Sequence, residues 1–143
     1  MARKLTATHD GETFTRTTNR AYSHIVVVRP SLDKTLARAA RNAPISQRDF
    51  SRLVEVANNT YELMQYVNEA QIEEAKFAIQ MGYADYNQHL VSKAVVRAST
   101  NFDPHWYVAG WCGRLDLAQK LSAKETTSEW SVAAEVAIVP VNP

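Results

Sequence analysis

Two spacings of apolar residues divide this chain into strand-forming ends and a helical middle. Runs of β-branched and aromatic residues lie at residues 22–29 (YSHIVVVR), 105–111 (HWYVAGW) and 130–141 (WSVAAEVAIVPV), and each run predicts a strand. From residue 45 to residue 103 there is no proline and Gly82 is the only glycine, while apolar residues recur every three or four positions. This spacing is typical of amphipathic helices, so the chain is predicted to mix strands and helices.

The N-terminal segment predicts a β-hairpin. Residues 3–17 (RKLTATHDGETFTRT) are rich in threonine, which favours strands, and Asp10-Gly11 stands in the middle. An Asp-Gly pair supplies the two positive φ angles of a type I′ turn, which joins adjacent antiparallel strands. The next strand, at residues 22–29, is stopped by Pro30, and its run of apolar β-branched residues predicts an interior position in a sheet.

Capping residues mark the starts of two helices. Ser31 precedes a helix that ends before Pro44, and Ser46 precedes a second helix. An apolar seam then continues at helical spacing, formed by Phe50, Leu53, Val54, Ala57, Tyr61, Met64 and Val67. Breaks near residues 68–71 and at Gly82 predict two or three helices in this block.

A last amphipathic helix is predicted at residues 115–124 (LDLAQKLSAK), with Leu117, Ala118 and Leu121 facing inward. The order of hairpin, strand, helices, strand, helix and strand predicts the α+β class. We expect a mostly antiparallel sheet made of the hairpin and three further strands. The whole chain, residues 1–143, is predicted to be one domain that contains residues 45–100 as a helical insertion.

Charged residues are distributed unevenly along the chain. Residues 1–52 contain ten Lys or Arg and four Asp or Glu, whereas residues 53–143 contain six and eleven, so the two parts nearly cancel to a formal net charge of +1. Such asymmetry predicts that one part of the molecule faces a polyanion or an acidic partner. The other part would then repel nucleic acid or bind a basic surface.

Basic residues of the first third form the first candidate binding patch. Three of them have the i, i+4, i+7 spacing of a helix face, and the full set is Arg20, Lys34, Arg38, Arg41, Arg48 and Arg52. Lysine and arginine beside a nucleic-acid backbone release counterions and add salt-dependent affinity. A solvated helix face is the more common explanation of such a stripe, and both interpretations stay open.

Four glutamates form the second candidate. They recur at intervals of seven, seven and four residues, so a continuous helix would carry them on one face: Glu55, Glu62, Glu69 and Glu73. An acidic stripe of this kind can mimic a run of phosphates and occupy a basic groove on another protein. Acidic outer faces are also ordinary on long helices, where they serve solubility.

A third constellation comprises Arg20, Tyr22 and His24. Alternate residues of a strand project to one face, so these three side chains would reach a single phosphate or carboxylate. With His24 as a proton shuttle, the group would suit a small enzyme. An ordinary exposed sheet face is the competing interpretation.

The sequence lacks the signatures of common enzyme classes. There is no HExxH, GxSxG, Walker or GxGxxG motif, and the four histidines are scattered. The single cysteine, Cys112, has no nearby histidine or lysine in sequence to lower its pKa. We therefore predict a protein that is not an enzyme, with no catalytic residue, metal ligand or cofactor.

No apolar run is long enough to span a bilayer, and the N-terminus lacks an apolar signal region. We therefore expect a cytoplasmic protein with no membrane partner. Its single cysteine is compatible with a reducing compartment.

Two stretches, FTRTTNRAYSHIVVV and WYVAGWCGRLDLAQK, resemble small uncharacterised accessory proteins of bacteriophages and mobile elements. The resemblance implies a protein of the bacterial host cytoplasm that binds and blocks a host machine, as anti-CRISPR proteins do. We expect a non-enzymatic inhibitor of a host defence or nucleic-acid-processing complex, with a host protein or ribonucleoprotein complex as partner. The alternative is a nucleic-acid-binding accessory protein that uses the basic N-terminal third, and a small enzyme using Tyr22 and His24 is a more distant one.

Overall fold

The computed structural model describes residues 1–142 and shows an α+β protein, as predicted. The chain forms two compact units. Residues 1–38 and 101–142 form the first, here called the sheet unit, and residues 39–100 form the second, the helical unit. The helical unit corresponds to the predicted insertion at residues 45–100 and begins six residues before it.

The N-terminal hairpin is present and has the predicted turn. Strand β1 (Arg3–His9) pairs antiparallel with β2 (Glu12–Thr18) in an unbroken register. Asp10 and Gly11 have φ angles of 51° and 80°, which are the two positive values that a type I′ turn requires. The local turn signal was therefore sufficient to set this register.

The remaining strands form a separate antiparallel sheet of three. They are β3 (His24–Pro30), β4 (Tyr107–Cys112) and β5 (Ala133–Pro140), in the order β4-β3-β5. The predicted interior strand is indeed central, and its residues 25–28 are fully inaccessible to solvent. The hairpin is not part of this sheet. An isolated bridge between Thr6 and Asn142 pairs β1 with the segment that follows β5.

The core of the sheet unit lies on both faces of β3. On one face Val26 packs with Cys112 and with Ala118 of helix α5 (Leu115–Thr127). On the other face Ile25 and Val27 pack with Ala7 of the hairpin and with Trp106. Because successive residues of a strand point to opposite faces, one apolar run in β3 serves two layers.

The prediction for α5 is right for Ala118 and wrong for Leu117. Ala118 is fully buried and Leu121 is half-buried, whereas Leu117 is 40% exposed. The helix packs against all three strands of the sheet, and small residues such as Ala118 and Gly110 allow a close approach. A Cβ atom added at Gly110 would lie 2.7 Å from Leu121 Cδ2.

Four helices precede β4, and the last part of the first one opens the helical unit. They are α1 (Leu32–Asn42), α2 (Gln47–Ala57), α3 (Glu69–Met81) and α4 (Tyr83–Thr100). Ser31 Oγ accepts a hydrogen bond from the Lys34 amide at 3.3 Å, and Ser46 Oγ accepts one from the Asp49 amide at 3.1 Å. Both predicted N-caps are therefore confirmed.

The first break in the helical block was predicted at residues 68–71 but lies earlier in the chain, because residues 69–71 form the first turn of α3. Helix α2 ends at Ala57, and residues 58–68 form a connection that contains a single 3₁₀ turn. Asn59 adopts a positive φ of 57°, a conformation that asparagine tolerates better than most residues. The seam residues Tyr61, Met64 and Val67 are thus not helical neighbours of Leu53. The break at Gly82, whose φ is 87°, is confirmed.

The helical unit has a thin core. Its fully buried side chains, among the described residues, are Val56, Ala75, Ala78 and Tyr86. Tyr86 is by far the largest of these, and its hydroxyl donates a hydrogen bond to Glu74 Oε1 at 2.8 Å. The rings of Phe50 and Phe77 approach it at centroid distances of 6.4 and 6.3 Å. Tyr86 is therefore the centre of packing in this unit.

The environment of Tyr86 predicts a pH dependence of stability. Burial, with smaller contributions from Glu74, raises the pKa of Tyr86 to about 12 in the folded protein. An unfolded tyrosine ionises near 10, so above that pH the unfolded chain loses a proton that the folded chain retains. We expect the contribution of this group to be complete below pH ~10 and lost as the pH rises through about 12. Denaturant unfolding of wild-type protein and Tyr86→Phe across this range measures it, and equal pH profiles would contradict it.

No helix in residues 1–142 is long and apolar enough to cross a membrane.

Candidate interaction surface

The connection between α2 and α3 is surrounded by concave surface. Glu55, Tyr61, Glu62 and Leu63 line a depression of about 560 Å³. A second depression, of about 440 Å³, lies on the side of Asn59. Two depressions of the helical unit therefore lie beside a segment without regular structure.

A third depression, of about 290 Å³, shares Arg52 and Tyr61 with the first and has a mostly apolar lining. Its apolar lining residues are Leu53, Val56, Tyr61 and Val67. Arg52, Gln71 and Glu74 supply its polar atoms. Three residues of the predicted seam, Leu53, Tyr61 and Val67, thus line this depression.

The four predicted glutamates line the first two depressions, none of them lines the apolar one, and they do not form one helical stripe. Glu55 and Glu62 line the first depression, and Glu69 and Glu73 line the second. The break at residues 58–68 divides them into two pairs, because α2 and α3 are separate helices. We call the four glutamates with the apolar wall residues and Leu63 the α2–α3 surface.

Local sequence accounts for the way in which α3 begins at this surface. Asn68 Oδ1 accepts a hydrogen bond from the Gln71 amide at 2.9 Å, and the Gln71 side chain accepts one from the Asn68 amide at 2.8 Å. This reciprocal capping box fixes the first turn. Glu69 stands in that turn, where the helix dipole favours a negative charge.

The α2–α3 surface carries a net negative charge. Glu55, Glu62 and Glu69 are exposed and have no ion-pair partner within residues 1–142. Glu73 pairs with Lys76 at 3.9 Å, and both side chains are more than half exposed. Exposed pairs of this kind are weak, so Lys76 compensates Glu73 only in part.

Exposed apolar side chains adjoin these glutamates. Leu63 is 48% exposed and Tyr66 is 74% exposed. The sequence analysis assigned no binding role to either residue. The Asn58-Asn59 pair could have indicated that these residues are exposed. Two asparagines at the end of a helical pattern favour the end of the helix and a loop that exposes the residues after it.

The six predicted basic residues are divided between the units. Arg20, Lys34 and Arg38 belong to the sheet unit, and Arg41, Arg48 and Arg52 belong to the helical unit. Lys34 Nζ donates a hydrogen bond to the carbonyl of Ala133 at 2.8 Å, and Arg52 pairs with Asp49 at 3.6 Å. Lys34 and Arg52 thus have structural roles within their own units.

The difference in charge between the two parts of the sequence nearly disappears when the charged residues are counted within each structural unit. The sheet unit has ten basic and eight acidic residues, and the helical unit has six and seven. Acidic residues after position 100 return to the unit that holds the basic N-terminus. The net charge of neither unit therefore indicates a polyanionic binding partner.

The structure does not place Arg20, Tyr22 and His24 on one strand face. Strand β3 begins only at His24, and the two preceding residues of the set lie in irregular backbone. The Tyr22 ring lies 4.9 Å from the Arg16 guanidinium and 6.0 Å from the Trp111 ring. His24 Nδ1 is 2.8 Å from Ser23 Oγ. These contacts are local, and none joins the three side chains to one another.

A second polar cluster lies at the hairpin turn. Trp106 Nε1 donates a hydrogen bond to Asp10 Oδ2 at 3.2 Å, and its backbone amide donates one to Glu12 Oε2 at 3.1 Å. His105 Nδ1 is 2.5 Å from Asp103 Oδ1, and this hydrogen bond raises the pKa of His105. The first two contacts attach the turn to the core, and the histidine and aspartate are neighbours in an exposed turn.

Cys112 has the environment of a structural residue. It is buried against Val26 and Ala118, and burial raises the pKa of its thiol. A raised pKa leaves less thiolate, which is the nucleophilic form. No group of three or more His, Cys, Asp or Glu residues within the described range is arranged to hold a metal ion.

Comparisons of this chain with protein-family models, with curated proteins and with solved structures found no match.

Proposed function

We propose that this protein is a non-enzymatic binding protein that acts by occupying a basic surface of a macromolecular partner through its α2–α3 surface. The observation that carries the proposal is that Glu55 and Glu62 line a depression that shares Arg52 and Tyr61 with the apolar one, while Glu69 and Glu73 line another depression beside the same connection. Each half of this arrangement supplies a different component of binding. The glutamates supply charge complementarity, and the apolar wall supplies buried area.

The charges would act mainly on the rate and specificity of association. Exposed glutamates at the rim attract a basic surface and disfavour acidic ones, an effect that salt reduces. The apolar component would act on the lifetime of the complex. Burial of apolar area contributes about 25 cal/mol per Å² before the entropic cost of association is subtracted.

A nucleic-acid-binding groove on a host protein is the kind of surface that matches this chemistry. Such grooves are lined by lysine and arginine, and an acidic protein competes there with phosphate. We therefore propose as partner a host defence or nucleic-acid-processing complex in the bacterial cytoplasm, in line with the resemblance to phage accessory proteins. Inhibition would be stoichiometric, because occupancy involves no turnover.

The first test reverses two charges of the α2–α3 surface. Glu55→Lys with Glu62→Lys should abolish capture of the partner when tagged protein is purified from the native host. Both side chains are exposed and have no hydrogen bond or ion pair with residues 1–142, so the fold should be retained. Quantitative mass spectrometry of the co-purifying proteins, with circular dichroism of each variant, makes the measurement.

Asp85→Lys in α4 is the matched control. It reverses one exposed acidic residue of the same unit, outside the α2–α3 surface, and should leave capture unchanged. Retention of the partner by the double glutamate variant would contradict the proposal. Loss of the partner on Arg38→Glu with Arg48→Glu, together with salt-sensitive DNA binding by the isolated protein, would favour the nucleic-acid-binding alternative instead.

A further inference from the structure

The hairpin has a free edge on β2. In a hairpin closed by a two-residue turn, the residues that flank the turn exchange both backbone hydrogen bonds, and every second pair after them does the same. The register His9–Glu12, Ala7–Phe14 and Leu5–Arg16 therefore contains the bonded pairs. The backbone groups of Thr13, Thr15 and Thr17 point away from β1.

The opposite edge of the hairpin, on β1, shows the same alternation, and there the outward-facing backbone groups of Thr6 are hydrogen-bonded. Thr6 lies across from Thr15, and its backbone groups also point outward. Its amide donates to the carbonyl of Asn142 at 3.0 Å, and its carbonyl accepts from the Asn142 amide at 2.7 Å. No segment within residues 1–142 takes the corresponding place beside Thr15.

Strand β2 lacks two of the features that usually protect an edge strand, a bulge and a proline. Its register with β1 is continuous over seven pairs, so no bulge twists it away, and it contains no proline. Thr13, Thr15 and Thr17 are exposed and β-branched, which suits a paired strand. By contrast, the register between β3 and β4 shifts between Val26 and Val27.

Charge is separated along this edge. Asp10 and Glu12 lie at the turn end of β2, whereas Arg16 and Arg20 lie towards and beyond its other end. A second strand of the same sequence, aligned antiparallel, brings the acidic end of each copy beside the basic end of the other. A parallel alignment would bring like charges together. The edge is therefore complementary to itself in one direction only.

We propose that two copies of this chain associate through antiparallel pairing of their β2 strands, with the two-fold axis at Thr15. This axis is the one that pairs all three outward-facing threonines, Thr15 with its copy and Thr13 with Thr17. It places Arg16 opposite Phe14 of the second copy, so no like charges oppose each other. The interface is isologous, which makes it a closed dimer.

The dimer should be weak, because a single added strand pair buries little surface. Interfaces at the low end of the size range belong to transient complexes. Threonine pairs across the new ladder contribute about 0.2–1 kcal/mol each. We expect a reversible dimer with a dissociation constant of micromolar order, which sedimentation velocity over a concentration series detects.

Complementary charges at Thr15 test the position of the axis. Thr15→Lys and Thr15→Glu each place two like charges opposite each other and should give monomers, whereas an equimolar mixture of the two should restore the dimer. Thr8 is exposed on β1 of the same hairpin, so Thr8→Lys and Thr8→Glu are the matched controls and should leave dimerisation unchanged. A wild-type protein that is monomeric at all concentrations would overturn the proposal, as would a dimer that both Thr15 variants retain.

A cysteine crosslink provides a second measurement that does not depend on affinity. Directly paired residues of this type have Cα atoms about 5.5 Å apart, within the range that a disulfide spans. Thr15→Cys should form a covalent dimer on mild oxidation, and Thr8→Cys should not. Cys112 is buried, so the native thiol is a poor competitor. Equal crosslinking of both variants would show random collision and would overturn the proposal.

Discussion

Replacement of Tyr86 by alanine is expected to destabilise the helical unit by about 3–5 kcal/mol, the cost typical of removing a large aromatic side chain from a core. Tyr86 is only 4% exposed and is the one large side chain among the four that are fully buried in this unit. Its ring contacts Phe50, Phe77 and His89, so the substitution removes these contacts and leaves a cavity between those rings. Urea unfolding followed by far-ultraviolet circular dichroism measures the loss.

Two further variants distinguish the contribution of the buried Tyr86 ring to stability from that of its hydroxyl group and from that of an exposed tyrosine. Tyr86→Phe keeps the ring and removes one hydrogen bond to Glu74, so we expect a cost of about 1 kcal/mol. Tyr66→Ala makes the same substitution at a position that is 74% exposed, and its effect should stay within about 0.5 kcal/mol. Similar destabilisation by Tyr86→Ala and Tyr66→Ala would show that Tyr86 is not the centre of this core.

Replacement of Ile25 by alanine is expected to destabilise the sheet unit by about 2–5 kcal/mol. Ile25 is completely buried in β3, where it packs with Trp106 and Val139. Because β3 is the central strand, its neighbours on both sides restrict the collapse of the cavity. The three tryptophans, Trp106, Trp111 and Trp130, all belong to this unit, so tryptophan fluorescence reports its unfolding specifically.

Leu117→Ala is the control for this unit. Leu117 is 40% exposed on α5, and its truncation should cost less than about 1 kcal/mol in the same fluorescence experiment. A cost equal to that of Ile25→Ala would place Leu117 inward, as the sequence pattern predicted. It would then contradict the exposure found in the structure.

Local signals account for most of the fold that was predicted correctly. The hairpin turn depends on Asp10-Gly11, and the starts of α1 and α2 depend on Ser31 and Ser46. Each of these signals acts between residues at most three or four positions apart, so no knowledge of distant contacts is needed. The central position of β3 was also accessible, because a strand buried on both faces has no polar alternation.

The candidate site was predicted only in part, because its shape depends on how a helix breaks. The four glutamates were recognised, but their grouping on one face depended on a continuous helix, which the structure does not have. Asn59 instead adopts a left-handed conformation, and the connection that follows separates the glutamates into two pairs that line different depressions. Periodicity continues through a loop as readily as through a helix, so spacing alone does not distinguish the two.

The distribution of charge between the two units is a property that local sequence does not determine. The chain alone determines which residues are charged, which turn closes the hairpin and which residues cap the helices. These are properties of single residues and of close neighbours. The balance of charge within each unit was decided by the return of residues 101–142 to the N-terminal strands. The free edge of β2 likewise depends on Asn142 pairing with Thr6 and not with Thr15. Both features rest on pairings between residues about a hundred positions or more apart, whose loop-closure entropy is repaid only when the whole sheet unit forms.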